Sequence, residues 1–197
     1  KIELINDPLV DCYELSAKLF DRISIRSAAA EVLAIVKATN HKLENLILNN
    51  DSKILVLESP EKPGNIGALI RTAAAAGIDA LIIANPKTDL YHPQIIRNSL
   101  GGLFCVPIAM DSSDNVISFL KKNNFNIIVT ALISKAKHYK RIKYEKPFAL
   151  IFGSEDKGIN DFWIEKANQI VQIPVKFPID SLNLSVSAGV LIYHCMD

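Results

Sequence analysis

The chain has 197 residues, 49% hydrophobic and 22% charged, with 22 Lys and Arg against 21 Asp and Glu for a net charge of +1. This composition excludes a disordered tail, a collagen-like fibre and a low-complexity linker, and the length suits one domain with a small appendage. The near-zero charge excludes a broad polyanion-binding field, so any nucleic-acid contact must come from a local patch.

No apolar run approaches the roughly 20 residues that span a bilayer. The longest, Ala73 to Ala84, is interrupted by Gly77 and Asp79. Residues Lys1 to Pro8 lack the basic start, apolar stretch and cleavage site of a secretory signal. Cys12, Cys105 and Cys195 are far apart and odd in number, without metal-ligand spacing. Neither a metal site nor a disulfide framework is expected, and a reducing cytoplasm is the expected location. The chain begins at Lys1 rather than Met, the expectation being a piece of something longer.

Residues 1–50 differ from the rest. Leu15, Leu19, Phe20 and Ile23 have helical spacing within Tyr13 to Ile23, Glu31 to Val36 reads as a short buried strand, and Leu43 to Leu48 as a helical turn. Asn49 to Ser52 is a polar break, which places a boundary between segments 1–50 and 51–197. Beyond it, strands and helices alternate. Ile54 to Leu57 is an apolar strand, and Asn65 is expected to cap a helix over Ile66 to Ala76. Ala80 to Ala84 is a strand, Pro93 to Leu100 a helix and Phe104 to Ile108 a strand. Asp114 is expected to cap a helix to Lys122, followed by strands at Asn126 to Leu132 and Phe148 to Phe152. A helix at Ile159 to Ala167, a strand at Gln169 to Ile173 and a helix at Leu182 to Cys195 complete the chain. Continuous apolar strands alternating with helices predict an α/β fold, a parallel sheet with helices on both faces.

Ligands in such sheets sit at the carboxyl ends of strands, so three strand-to-helix loops stand out. The first runs Pro63-Gly-Asn-Ile-Gly-Ala-Leu-Ile-Arg-Thr72. Gly64 and Gly67 permit a tight turn and close backbone approach, and Arg71 follows Gly67 by one helical turn. Alone, it also reads as an ordinary capped helix with a solvated arginine. The second, Phe152-Gly-Ser-Glu-Asp-Lys-Gly-Ile159, sets Glu155 in a sharp loop, where it reads either as a ligand for a ribose hydroxyl or an arginine, or as a polar turn. The third, Ile173 to Ser187, has a stiff proline-containing loop and then Ser181, Asn183, Ser185 and Ser187 at a helix start. Capping explains one of these four, and back-bonding to the helix suits Ser185 and Ser187. Lys135, Lys137, His138, Lys140, Arg141, Lys143 and Lys146, interleaved with Tyr139 and Tyr144, form the one dense basic run. It suits either a solvated face or phosphate contacts with tyrosine stacking on a base. Trp163 reads as a packing residue beside the second loop.

Together and in this order, the three loops resemble the motifs of the SpoU (TrmH) branch of the SPOUT RNA methyltransferases: Asn65-Ile-Gly-Ala-Leu-Ile-Arg71-Thr-Ala, Ile151-Phe-Gly-Ser-Glu155-Asp-Lys-Gly158, and Ile173-Pro followed by Ser181-Leu-Asn183-Leu-Ser185-Val-Ser. The resemblance covers residues 51–197. It implies a carboxyl-terminal deep trefoil knot, which only the family argues for because threaded chains are rare. It also implies a homodimer, S-adenosylmethionine as cofactor, and methylation of a ribose 2′-hydroxyl in structured RNA. Carried over by position, the cofactor cradle is Thr130, Ala131, Leu132, Gly153, Ser154, Glu155, Ile173, Leu182 and Ser185. Arg71 is the catalytic arginine, supported by Asn65, Glu155, Asn183 and Ser181, with Lys135, Lys137, Lys140 and Arg141 as RNA contacts. The family's arginine is also proposed as general base. Because a free guanidinium does not deprotonate in ordinary settings, the alternative is that Arg71 binds phosphate while the proton leaves to water or Glu155.

Tyr13 to Leu48 resembles the end of the L30e-like RNA-binding domain that many such enzymes carry, against the alternative of a simple helical extension. That resemblance favours rRNA over tRNA as partner. A tRNA ribose methyltransferase, a non-catalytic RNA-binding protein of the same fold and a plain nucleotide-binding domain are the competing readings. Asp156 departs from the family, where glycine is frequent, and adds negative charge beside the expected RNA site.

Overall fold

The computed structural model describes residues 10–24 and 32–196. The chain divides into two compact units, Lys1–Thr39 and Asn40–Asp197. In the first, helix α1 (Ala17–Ile23) is capped by Ser16, whose hydroxyl accepts from the Leu19 N–H. The expected strand at 31–36 does not form at 32–36, and Glu31 lies outside the described residues. Ile35 and Val36 are exposed and no described strand pairs with them, so the apolar run has neither a cover nor a ladder. The polar break at 49–52 does not coincide with the division into units. Leu43 is already buried in the core of the larger unit, and the Met110 N–H donates to the His41 carbonyl.

The larger unit holds seven strands: β1 (Lys53–Glu58), β2 (Ala80–Ala84), β3 (Ile108–Asp111), β4 (Asn126–Thr130), β5 (Lys137–His138), β6 (Phe148–Phe152) and β7 (Gln169–Gln172). They lie in the order β3-β2-β1-β6-β4-β7-β5, and every pairing is parallel. Helices α2 (Pro63–Ala75), α3 (Pro93–Ser99), α4 (Ser113–Lys122), α5 (Asp161–Lys166) and α6 (Leu184–His194) connect or follow them. Alternate strand residues feed two cores. Leu55, Leu57, Leu81, Ile83, Phe148 and Leu150 pack under α2, α3 and α6. Ile54, Val56, Ile82, Ile127, Ala149 and Ile151 pack under α4 and α5. With both faces covered, the strands read as unbroken apolar runs, and each fully buried Leu or Ile contributes about 1.5–3 kcal/mol.

Several ends differ from the sequence reading. Helix α2 starts at Pro63 with no side-chain cap, because proline presets the first helical φ and needs no N–H partner. Asn65 is therefore not a cap and its side chain is released for other use. Helix α4 is capped by Ser112, not Asp114, and α5 by Asn160. Phe104 ends a 3₁₀ turn, Gly102–Phe104, and is exposed, so the third strand begins only at Ile108.

From β7 the chain returns through 173–183 to α6, which packs on α2. The connection from β4 to β6 lies against the last turn of α6. Tyr139 and Tyr144 both meet the His194 ring edge-on, at 5.0 and 5.7 Å between centroids. The Tyr144 hydroxyl donates to the Tyr139 carbonyl at 2.8 Å. Burial here pushes the Cys195 thiol up to about 12, against smaller lowering by Tyr144 and Lys53. Because the thiolate is the reactive form, Cys195 is expected to resist a maleimide or disulfide reagent at pH 8 while exposed Cys105 reacts. Mass spectrometry of the native and the denatured protein checks this. Equal labelling of both cysteines in the native protein would contradict the burial.

Candidate functional site

Past the carboxyl ends of β4, β6 and β7 the sheet opens into a cleft of about 790 Å³. Its walls are residues 130–133, 152–155, 171–173 and 181–184, with Asn65, Lys62, Lys135 and Lys157 at the side. Parallel strands all end on this edge, so three loops far apart in sequence converge there.

The middle loop is closed on itself. Ser154 and Gly158 exchange both backbone hydrogen bonds at 3.0 Å. A Cβ on Gly153 would stand 2.1 Å from the Gly158 carbonyl carbon, and Gly158 has φ +64°. Only glycine suits either position. This tight bridge presents Glu155, half-buried, toward α2.

There the three loops join in one hydrogen-bonded chain. The Asn183 amide donates to Asn65 Oδ1 at 3.3 Å, and the Asn65 amide donates to Glu155 Oε1 at 2.7 Å. Asn183 Oδ1 accepts from the Ser185 N–H at 2.9 Å and the Ser185 hydroxyl at 2.6 Å, and so caps α6. Every donor faces an acceptor, and a carboxylate end strengthens the bond it accepts. Thr130 at the floor is held by its hydroxyl donating to the Ile151 carbonyl at 2.9 Å.

The structure thus brings Asn65, Glu155, Asn183 and Ser181 to one cleft, with Thr130, Ala131, Leu132, Gly153, Ser154, Ile173 and Leu182. Ser185 does not line it. Its hydroxyl bonds to Asn183 rather than back to the helix, so it steadies that amide. Arg71 does not line its own chain's cleft either. It is exposed on α2, and its side chain makes no hydrogen bond or ion pair among the described residues. The expected close approach to Gly67 comes from α3: a Cβ there would stand 2.7 Å from Asn98 Cβ and 2.9 Å from the Ile95 carbonyl oxygen. Of the basic run only Lys135 reaches the cleft, while Lys137, Lys140 and Arg141 are exposed outside it. Tyr139 and Tyr144 are packed against α6 and the core, so neither is free to stack on a base. Asp156 pairs with Lys62 at 3.7 Å across the mouth, a contact between exposed groups that adds little stability.

The family described as SpoU rRNA Methylase matches residues 52–193. The chain belongs to that family. It is 29% identical over 185 residues to a 23S rRNA (guanosine(2553)-2′-O)-methyltransferase, RlmP, of Bacillus subtilis, covering 94% of this chain and 72% of the relative. The fold matches an AdoMet-bound rRNA methyltransferase from Sinorhizobium meliloti, with TM-score 0.76, 27% identity, and coverage of 80% of this chain and 60% of that one. It also matches the SpoU methyltransferase AviRb from Streptomyces viridochromogenes in complex with AdoMet, with TM-score 0.75, 26% identity and coverage of 80% and 64%. The chain therefore spans about two thirds of the length of these relatives.

Three features escaped the sequence reading. Lys62 and Lys157 line the cleft, Lys62 as an isolated lysine before the first loop and Lys157 as a residue of the second loop to which no role was given. Glu58 ends an otherwise apolar strand and is 5% exposed, a signal that was present in the run Ile54 to Glu58. The Gly153 contact carries a direct prediction. Gly153→Ala forces the loop apart and is expected to destabilise the fold by about 1–3 kcal/mol. Urea unfolding against the unchanged protein measures this, and a loss below about 0.5 kcal/mol would contradict the closed loop.

Proposed function

We propose that this chain transfers a methyl group from S-adenosylmethionine to the 2′-hydroxyl of a ribose in rRNA. The hydrogen-bonded chain Asn183–Asn65–Glu155, which joins all three family motifs at one cleft, carries the reading. The similarity to enzymes named for 23S rRNA supports rRNA over tRNA as substrate. The cofactor would supply the electrophilic methyl on its sulfonium.

The residues present fit that cofactor. A cleft of about 790 Å³ lies within the roughly 300–1,000 Å³ of small-molecule sites. Ala131, Leu132, Ile173 and Leu182 offer apolar walls for a purine, and the glycine-closed loop 153–158 brings backbone close to a ligand. Thr130 and Ser154 complete the cradle.

This chain's own residues then hold the nucleotide. Asn65, fixed by Glu155 on one side and Asn183 on the other, presents a fixed amide to the ribose region. Ser181 lies at the mouth. Arg71, an unpaired guanidinium, suits a backbone phosphate and can polarise the attacking hydroxyl, whose proton leaves to water or Glu155. Lys135, Lys137, Lys140 and Arg141 extend the phosphate contacts away from the cleft. We read the enzyme as a homodimer. The outer face of α6 exposes Val186, Val190 and Tyr193, and Leu100 and Phe104 are exposed close to α2, so a second copy covering this surface would also enclose Arg71. The same reading includes a carboxyl-terminal deep trefoil knot, a cytoplasmic location, and the part of residues 1–50 that precedes the larger unit as the end of an L30e-like RNA-binding domain.

Incubation with methyl-labelled S-adenosylmethionine and separate unmodified rRNA and tRNA, followed by digestion to nucleosides, tests the reading. Label in a 2′-O-methyl nucleoside from rRNA is expected. Label from tRNA alone would overturn the substrate, and cofactor binding with no transfer to either would favour a non-catalytic RNA-binding protein. Arg71→Ala is expected to lower turnover on the order of a hundred-fold or more while S-adenosylhomocysteine affinity holds within about two-fold. Equal loss of both would remove Arg71 from that role.

A further inference from the structure

Beneath the cleft lies a buried carboxylate that the mechanism above does not use. Glu58, at the carboxyl end of β1, alternates with Leu57 and faces the α4 and α5 side. Among the described residues it accepts from four groups and from no cation. Trp163 Nε1 donates to Oε2 at 2.8 Å, and the Ser113 hydroxyl donates to the same oxygen. The Ser59 hydroxyl and the Asn85 amide donate to Oε1 at 2.8 and 3.2 Å. A carboxylate offers about four acceptor sites, and here all are taken. The Asn85 amide also donates to the Ser113 hydroxyl at 2.7 Å, and Asn85 Oδ1 accepts from the Ser113 N–H at 3.2 Å, which closes the network.

Two of its donors stand in strained backbone. Ser59 has φ +46° and Asn85 φ +48°, a region that non-glycine residues avoid. Such conformations persist where surrounding bonds over-determine them. Ser59 opens the segment that carries Lys62 and Asn65 to one wall of the cleft. Trp163, fully buried, sits in the six-residue helix α5, which follows the loop of Glu155 and itself gives Asp161 and Ile164 to the opposite wall. Leu57, next to Glu58 in β1, and Phe152, the last residue of β6, are paired in register.

We infer that Glu58 is a positioning residue: through Ser59 and Trp163 it sets the separation of the two cleft walls, and so the placing of the 153–158 loop, which forms part of the cofactor cradle and is held to Asn65 through Glu155. This rests on the cofactor reading given above. Glu58→Gln turns an acceptor into an amide that faces two donors, while Trp163→Phe removes one N–H and keeps the aromatic bulk.

Calorimetric titration with S-adenosylhomocysteine tests the inference on folded protein. Trp163→Phe and Glu58→Gln are each expected to weaken binding about ten-fold, with the double variant no weaker than the worse single one, because both act through the same network around Glu58. Leu120→Ala, a cavity variant in the same core, is the control for lost stability alone and is expected to keep affinity within about two-fold. Unchanged affinity in Trp163→Phe would overturn the inference, as would an equal loss in Leu120→Ala. If Glu58→Gln does not fold, Trp163→Phe against Leu120→Ala decides. Failure of the unaltered chain to bind S-adenosylhomocysteine would instead overturn the cofactor reading.

Discussion

A carboxylate, two carboxamides and a hydroxyl stand in line at the edge of the sheet, from Glu155 through Asn65 and Asn183 to Ser185. They come from three separate loops or helix starts, Asn183 and Ser185 sharing the start of α6, and the first two are separated by 90 positions. Their contact requires strands that all end on one side. A parallel sheet supplies this, and its cost is that each strand must be buried on both faces by helices. The two cores, the crossover helices and the return of α6 to α2 follow from that requirement.

Rigidity is concentrated where the chain leaves the sheet. The 153–158 loop is locked by two backbone bonds and two glycines, α6 is capped by Asn183, and α2 meets α3 at Gly67 with almost no space between their atoms. Fixed groups of this kind need no reorganisation when a ligand arrives, which is where preorganised sites gain their advantage. Arg71 is the exception: its side chain is exposed and, among the described residues, unpaired.

Much of this was legible in the sequence. Ile54 to Leu57, Ala80 to Ala84 and Phe148 to Phe152 read as strands because two-sided burial leaves unbroken apolar runs. The third loop stood out through polar residues that capping alone did not explain, and the first two, each with an ordinary reading by itself, gained meaning from standing with it in order. Helix starts were less legible, because Asn65 and Asp114 have capping chemistry yet Pro63 and Ser112 do the work, a choice set by where the preceding strand ends. β5, two polar residues, exists only through its pairing with β7 and has no local signature. The inward packing of Tyr139 and Tyr144 was hidden for the same reason: their partner, His194, is about fifty residues away. Val32 to Val36 shows the converse, since apolar character without a neighbouring strand makes no sheet. Gly67 looked like a place for a ligand, and only the packing of α3 reveals a helix crossing.

The most direct measurement is a crystal structure of the chain with S-adenosylhomocysteine. The account predicts the ligand in the cleft between residues 130–132 and 173–182, with the Glu155–Asn65–Asn183 chain of hydrogen bonds intact beside it. A ligand bound elsewhere, or bound with that chain broken, would contradict it.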